Sequence, residues 1–434
     1  MIKGFSVENF LSFKERQEVS FEATSDKQSE ASLVYKIIHP QSGSLTRILR
    51  MSFIYGANAS GKTNLLFAIK SIFQLLSQYT AKKEESLNYV PFAMIYGEPT
   101  KSEISFFIDN IEYQYIVEYN KSIILKEVMK FNPKGVMSSL YTRIYDVERN
   151  MPIITFGDNA NIEAKAKKVI IENTFNNNTV ISTFGKKSIY APSIEVVYNW
   201  AHRGLENSSR APHADIKEIA STIVNMLKDN SKRDFLIKYI NAADFNISDV
   251  KFEEKNIDMP ESFKSIIIED DDLSEEQKSK LLNTKEIKIE VEHSADGRPF
   301  TLPLNMESNG TLKTIGLSDT IYKAMTCDEI FAIDEVDDAL HYDLIAYILQ
   351  VLLVNEHSSQ LIFTTHNQRL LDEDFVRRDM VWFTEKNQTT ASTEVYSAVE
   401  FKLHKNISLY NAYKVGKLGA IPELGSPFVK ISNK

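Results

Sequence analysis

Gly56-Ala57-Asn58-Ala59-Ser60-Gly61-Lys62-Thr63 fits the phosphate-binding loop pattern G-x-x-x-x-G-K-[ST] at every fixed position. An apolar run, Ser52-Phe53-Ile54-Tyr55, precedes it, and a helical run, Asn64-Leu65-Leu66-Phe67-Ala68-Ile69-Lys70, follows. A chance glycine turn needs neither flank; strand, glycine loop and helix together are the context of a site. There the backbone N–H groups from Gly56 through Ala57, Asn58, Ala59, Ser60 and Gly61 face phosphate oxygens, and the helix N-terminus adds partial positive charge. Lys62 reaches the β- and γ-phosphates, and the Thr63 hydroxyl is placed to ligate Mg²⁺.

Around this loop lie 434 residues, enough for two or three domains, with ordinary hydrophobic (43%) and charged (25%) fractions. A net charge of −9 argues against a general polyanion binder and leaves room for local basic patches, so DNA or RNA stays possible as a partner. Cys327 is the only cysteine, which excludes an intrachain disulfide and fits a cytoplasmic home. The opening Met1–Phe10 carries no signal-peptide core. The most apolar stretch, Leu344–Val354, is too short to span a bilayer and reads as a buried helix, so no membrane partner is expected.

Along the chain, alternation predicts strands at Lys3–Glu8 and Gln17–Phe21, and an antiparallel meander over 103–130 with turns at Asp109-Asn110 and near Asn120. Helical spacing of Ile216, Ile219, Ala220, Ile223 and Leu227, with Asp215 as N-cap, marks a helical region, and Phe235–Ile240 continues it. Residues 253–280 are polar and acidic around Glu269-Asp270-Asp271-Asp272 and read as a solvated loop or linker. Alternation returns at Ile287, Ile289 and Val291. Strand, helix, strand then follow at Ile330–Ile333, Tyr342–Val354 and Gln360–Thr364, the signature of a parallel sheet.

Ile330–Ile333 ends in Asp334-Glu335. A buried parallel strand delivers its last residues to the sheet edge where ligands bind. Surface carboxylates at a strand end are the plain reading; beside a phosphate loop, Asp334 suits Mg²⁺ and Glu335 suits the polarisation of attacking water. Thr364-Thr365-His366 closes the next strand, where His366 is either a structural histidine or a sensor of the γ-phosphate. Glu307-Ser308-Asn309-Gly310-Thr311 precedes the helical stretch Leu312–Ala324. It reads as a turn and cap, or as a second anion-binding helix start. One nucleotide does not need two such devices in one chain, but two chains facing each other do.

Phosphate loop, S-x-G-T loop, hydrophobic Asp-Glu strand and histidine, in that order, resemble the ABC class of ATPases. Phe5-Ser6-Val7-Glu8-Asn9-Phe10-Leu11-Ser12-Phe13 resembles the N-F-x-S-F opening of its RecF, SMC and OLD-like branch. Asp334-Glu335-Val336-Asp337-Asp338-Ala339-Leu340-His341 and Phe363-Thr364-Thr365-His366-Asn367 resemble that branch's carboxylate strand with D-loop and its switch segment. The tail from Tyr413 through Gly416 and Gly419 to Pro422 is similar to the Y-x-x-G-x-x-G-x-x-P ending of bacterial stand-alone AAA-labelled ATPases found in anti-phage and abortive-infection loci. The resemblance covers about half the chain and is weak over roughly 130–285. Two departures stand out. Ala59 replaces a glycine usual in SMC-type loops, and Tyr89-Val90-Pro91-Phe92, where the branch enters its β subdomain, contains no glutamine.

The resemblance implies an α/β P-loop ABC-type head with an antiparallel β subdomain and a helical insertion. Its expected parts are 1–185 (N-terminal half of the head), 186–285 (helical insertion and acidic linker) and 286–434 (C-terminal half). It further implies ATP and Mg²⁺ held by Gly56, Asn58, Gly61, Lys62 and Thr63, with Asp334 on the metal, Glu335 as catalytic base and His366 as switch. Ser308 and Gly310 would act in trans, in a homodimer or higher homo-oligomer. The chain ends soon after the tail, so the nuclease domain of OLD relatives is expected on a separate effector, a Toprim-like or HNH nuclease, a toxin or a reverse transcriptase. The expected function is an ATP-hydrolysing switch in anti-phage defence. The alternative is a RecF- or SMC-like DNA-repair or chromosome-maintenance ATPase, against which stand the acidic charge and the absence of long heptads. A transporter subunit fails on spacing, with about 270 residues between Lys62 and Asp334. Glu335 argues for hydrolysis over a non-catalytic ATP clamp.

Overall fold

The structure, a computed structural model, describes residues 1–207, 216–243, 246–256, 260–270, 274–282, 285–355, 358–404 and 406–422. The N-cap assigned to Asp215, and Asp271 and Asp272 of the acidic run, lie outside the described residues. The chain divides into two compact units. The first holds Met1–Arg210, Ala324–Asp338 and Ile348–Lys434; the second holds Ala211–Lys323 and Ala339–Tyr347.

In the first unit, β1 (Ile2–Glu8) and β2 (Gln17–Ser20) pair antiparallel, as their alternation predicts. β3 (Val34–Ile38) and β4 (Leu45–Leu49) form a separate hairpin. β5 (Met51–Gly56) is buried at every residue. The expected meander is present and longer than foreseen: β6 (Thr100–Ile108), β7 (Ile111–Tyr119), β8 (Ile124–Phe131), β9 (Ser138–Asp146) and β10 (Met151–Phe156). Asp109 and Asn110 both take left-handed backbone (φ 49° and 62°), the geometry that lets a two-residue turn match strand twist. These strands join the N-terminal hairpin in one antiparallel sheet, order β10-β9-β8-β7-β6-β1-β2.

In the second unit, β11 (Ile247–Asn256), β12 (Lys285–Ala295) and β13 (Arg298–Pro303) form an antiparallel sheet. Helices Ile216–Leu227 and Asn230–Ala242 form where the spacing predicts; of the expected stripe Ile219 and Ile223 are buried while Ile216 is exposed, and the second helix buries Leu236 and Ile240. The linker reading of 253–280 is corrected. The stretch holds the end of β11 and the helices Glu261–Glu269 and Glu275–Leu282. Acidic composition had masked the local helical pattern.

The central sheet of the first unit uses β14 (Ile330–Ile333), β15 (Gln360–Thr364), β16 (Val381–Lys386) and β17 (Thr393–Ser397), in the order β14-β15-β5-β16-β17. All neighbours are parallel except the edge strand β17. This order brings the C-terminal ends of β5, β14 and β15 to one sheet edge, where Gly56, Asp334 and His366 follow.

The units cut the chain differently from the expected thirds. Helix Pro192–Asn207, placed with the insertion on sequence, packs on helix Lys62–Ser77 in the first unit. Trp200 decides this: it stacks on Phe106 at 3.8 Å and meets Phe73 edge-on at 5.1 Å. Residues 286–323, expected with the C-terminal half of the head, cluster in the second unit. Among the described residues no helix is long and apolar enough to cross a membrane.

Candidate nucleotide-binding site

β5 runs straight into the loop. A Cβ on Gly56 would stand 2.5 Å from the Thr384 carbonyl oxygen, so only glycine lets the strand end so close to β16. Gly61 has φ +110°, and a Cβ there would meet Thr393 Oγ1 at 2.6 Å. Ala59, the departure from the SMC-type pattern, takes φ +61°. A side chain in that conformation costs about 1–2 kcal/mol, which the loop tolerates and which accounts for the usual glycine. Ser60 N–H donates to the Ala57 carbonyl at 3.2 Å, and Ser60 Oγ lies 2.6 Å from Thr384 Oγ1. Asn58 and Ala59 are left exposed at the loop's tip.

Lys62 opens the helix and is buried. Its ammonium donates to the carbonyls of Gly56 (3.0 Å) and Ala57 (3.1 Å), and Nζ lies 3.4 Å from His366 Nδ1. Burial lowers the Lys62 pKa, against the opposing pull of Glu335, Asp334 and Asp337.

The next residue ties the two halves of the site. Thr63 Oγ1 donates to Asp334 Oδ2 at 2.8 Å. On the other side Thr364 Oγ1 donates to Asp334 Oδ1 at 2.5 Å and accepts the Glu335 N–H at 2.7 Å. Glu335 is thereby held in left-handed backbone, φ +48°. His366 N–H donates to the Asp337 carboxylate (3.0 Å to Oδ2), and its Nε2 stands 3.9 Å from Glu335 Oε1. Burial, and then the neighbouring Lys62 cation, hold the His366 pKa below the ordinary 6.5, opposed by Asp337, Glu335 and Asp334. A hydroxyl and a carboxylate in contact at the foot of a phosphate loop are the hard oxygen donors that fit Mg²⁺, an ion that takes few protein ligands and shares the rest with phosphate and water.

Residues 51–372 match the family described as "AAA domain, putative AbiEii toxin, Type IV TA system". The chain belongs to this family. The matched stretch of the AAA domain starts at the first residue of β5 and runs past His366, so it takes in both halves of the site. The fold is α/β, with the phosphate loop at the end of a central, mostly parallel sheet and a separate antiparallel sheet beside it in sequence. Among solved structures, the chain is similar to the SMC head domain from Thermotoga maritima, at 13% identity over 91% of this chain and 98% of that one, TM-score 0.41. It is also similar to an SmcHead bound to the C-winged helix domain of ScpA, at 12% identity over 95% and 99% of the two chains, TM-score 0.43. No curated protein matches significantly.

The phosphate loop is braced by residues that lie outside the matched stretch. Ser12 of the N-F-x-S-F motif accepts the Asn64 side-chain amide at 2.8 Å. Thr393 Oγ1 sits 2.8 Å from both Ser12 Oγ and the Ser60 carbonyl oxygen. Asn9 of the same motif, at φ 51°, accepts the Phe92 N–H and donates to the Glu98 carbonyl. The motif therefore works as a brace between the loop and the start of the β subdomain. The motif's spacing was visible in the sequence. Thr384 and Thr393 carried no local signal, because only strand pairing brings them beside residues 56–61.

The tail motif, beyond the matched stretch, also gains a physical account. Tyr413 O–H donates to the Ala420 carbonyl at 2.8 Å, and Gly416 and Gly419 turn with φ 76° and 64°. A Cβ on Gly419 would stand 2.4 Å from Tyr396 Oη. The resulting compact turn walls a cavity of about 590 Å³ beside the phosphate loop, lined also by Asn58, His366 and Glu385.

Thus Gly56–Thr63, Asp334, Glu335 and His366 come together within the first unit. Ser308 and Gly310 belong to the second. Ser308 Oγ accepts the Thr311 N–H at 3.1 Å and so caps helix Asn309–Thr326, whose Gly310 carbonyl accepts Thr314 Oγ1 at 2.9 Å. Gly310 has only 3.2 Å between its would-be Cβ and the Ala339 carbonyl oxygen.

Proposed function

We propose that the chain is an ATP-hydrolysing, dimerising switch of a bacterial anti-phage defence system, acting on a separately encoded effector. The observation that carries the reading is the 2.8 Å bond from Thr63 to Asp334, which joins two distant stretches into one hard-oxygen site beneath the phosphate loop. Gly56–Gly61 cradle the phosphates, and Lys62 turns from the loop carbonyls toward them. Thr63 and Asp334 would hold Mg²⁺, which when bound would neutralise phosphate charge. Glu335 takes a proton from the attacking water, and His366, beside both Lys62 and Glu335, senses whether the γ-phosphate is present. Ser308 and Gly310 serve the nucleotide of a facing chain through the N-terminus of their helix. Closing and opening of the dimer then holds or frees the effector, a nuclease, toxin or reverse transcriptase. The family's toxin–antitoxin description supports an effector-linked role.

Glu335→Gln tests the reading. It is expected to bind ATP, hydrolyse it slowly and accumulate as an ATP-bound dimer on size-exclusion chromatography. Turnover at the wild-type rate would remove Glu335 from its role.

A further inference from the structure

We propose that His293 is a positioning residue for the Ser308 loop, locking the loop to the β11-β12-β13 sheet; this rests on the reading of Ser308 and Gly310 as a trans-acting site. Glu307, immediately before Ser308, has a side chain only 5% exposed, and its Oε1 lies 2.7 Å from His293 Nε2. A buried carboxylate without a donor is costly, and it can only accept, so His293 Nε2 carries the hydrogen. The imidazole is itself held. His293 pairs across β12 and β13 with Phe300, and the two rings stack at 5.2 Å and 16°. Between β13 and the loop there is a single tight turn, Leu304–Met306, closed by the Glu307 N–H on the Leu304 carbonyl. On its far side the loop is tied by the Thr311 N–H to Ser308 Oγ. Ser308 therefore sits between two anchors, a helix start and a sheet, and the sheet anchor is the His293–Glu307 bond. Without it the helix cap survives and Leu304 stays buried, but the residue next to Ser308 loses its side-chain tie to the sheet. A group that must meet a ligand on another chain needs that direction set in advance, because small misplacements cost large factors.

The experiment uses the full chain with ATP and Mg²⁺. His293→Phe keeps the aromatic stack and removes the donor; His293→Gln keeps a donor. His293→Phe strands the buried Glu307 carboxylate, so it is expected to melt below wild type; at temperatures where it is folded it should bind ATP with wild-type affinity, while ATP-driven dimerisation and turnover fall about tenfold or more. His293→Gln is expected to recover most of that loss. Mixing His293→Phe with Lys62→Ala chains should restore roughly a quarter of wild-type turnover, since about half the dimers are mixed and each carries one complete site. Wild-type dimerisation by His293→Phe, loss of its ATP affinity, or no recovery on mixing while a Ser308→Arg and Lys62→Ala mixture does recover, overturns the proposal. No recovery in either mixture refutes the trans site itself. Glu307→Met, which removes the acceptor, spares the stack and leaves no stranded charge, is expected to melt close to wild type and carries the same expectations and refutations for ATP affinity, dimerisation and turnover.

Discussion

Thr364 is a single hydroxyl on which both carboxylates of the site depend, and Thr364→Val removes it without changing the side chain's shape. The residue is fully buried, so no water replaces the lost oxygen. The hydrogen bond to Asp334, to a charged group, is worth about 1.5–3 kcal/mol, and a Glu335 N–H left without a partner costs about 1–3 kcal/mol. Asp334 keeps its second bond from Thr63. We therefore expect a net destabilisation of about 2–4 kcal/mol, read as a lowered urea midpoint in tryptophan-monitored unfolding. The functional loss should be larger than this suggests. Glu335 holds a left-handed backbone that costs about 1–2 kcal/mol, and its N–H on Thr364 is a bond that offsets the strain. The Asp338 N–H still donates to the Glu335 carbonyl, but without the Thr364 bond the backbone shifts and the carboxylate moves from its position 3.9 Å from His366. ATP turnover should fall on the order of a hundredfold, with a higher Mg²⁺ requirement, and Thr364→Ser should restore both. A Thr364→Val protein with wild-type midpoint and wild-type turnover would refute this account of how the carboxylates are held.

Gly61→Ala should weaken ATP binding and destabilise by about 1–3 kcal/mol, because the new Cβ meets Thr393 Oγ1 in a backbone region unfavourable to alanine; calorimetric ATP titration and thermal unfolding check it. Trp200→Ala should cost about 3–5 kcal/mol in chemical denaturation by removing the ring between Phe106 and Phe73. His366 predicts a pH effect in the nucleotide-free protein. Its folded pKa lies below 6.5, so as pH falls through that value the unfolded chain gains a proton before the folded chain does, and stability declines. His366→Gln should flatten that acid-side slope in denaturation series; an unchanged slope would show that other groups set it.

How much of this could be read in advance depended on how local the determinant was. Strand, loop and helix around 56–63, the Asp-Glu strand and the T-T-H segment were legible because each is a contiguous pattern with its own periodicity. The acidic stretch 253–280 reads as a linker because its composition outweighs two short helical runs, which the structure shows. Helix Pro192–Asn207 was assigned to the insertion because nothing in its own spacing reveals that Trp200 fills a gap between Phe73 and Phe106, more than ninety residues away. The brace of Ser12, Thr384 and Thr393 stayed hidden for the same reason: single hydroxyls in three separate strands or loops carry no pattern.

By itself, then, the order of residues determined the phosphate loop, the residue types of the site and the class of fold, since these rest on backbone conformations that neighbouring residues dictate. Only the tertiary structure decided which hydroxyls hold the carboxylates, that Lys62 lies curled on its own loop beside His366, and that the tail from Tyr413 to Pro422 walls the adjoining cavity. Those facts depend on which strands lie side by side. Strand order in a sheet is chosen by burial over the whole unit, a quantity no short stretch of sequence contains.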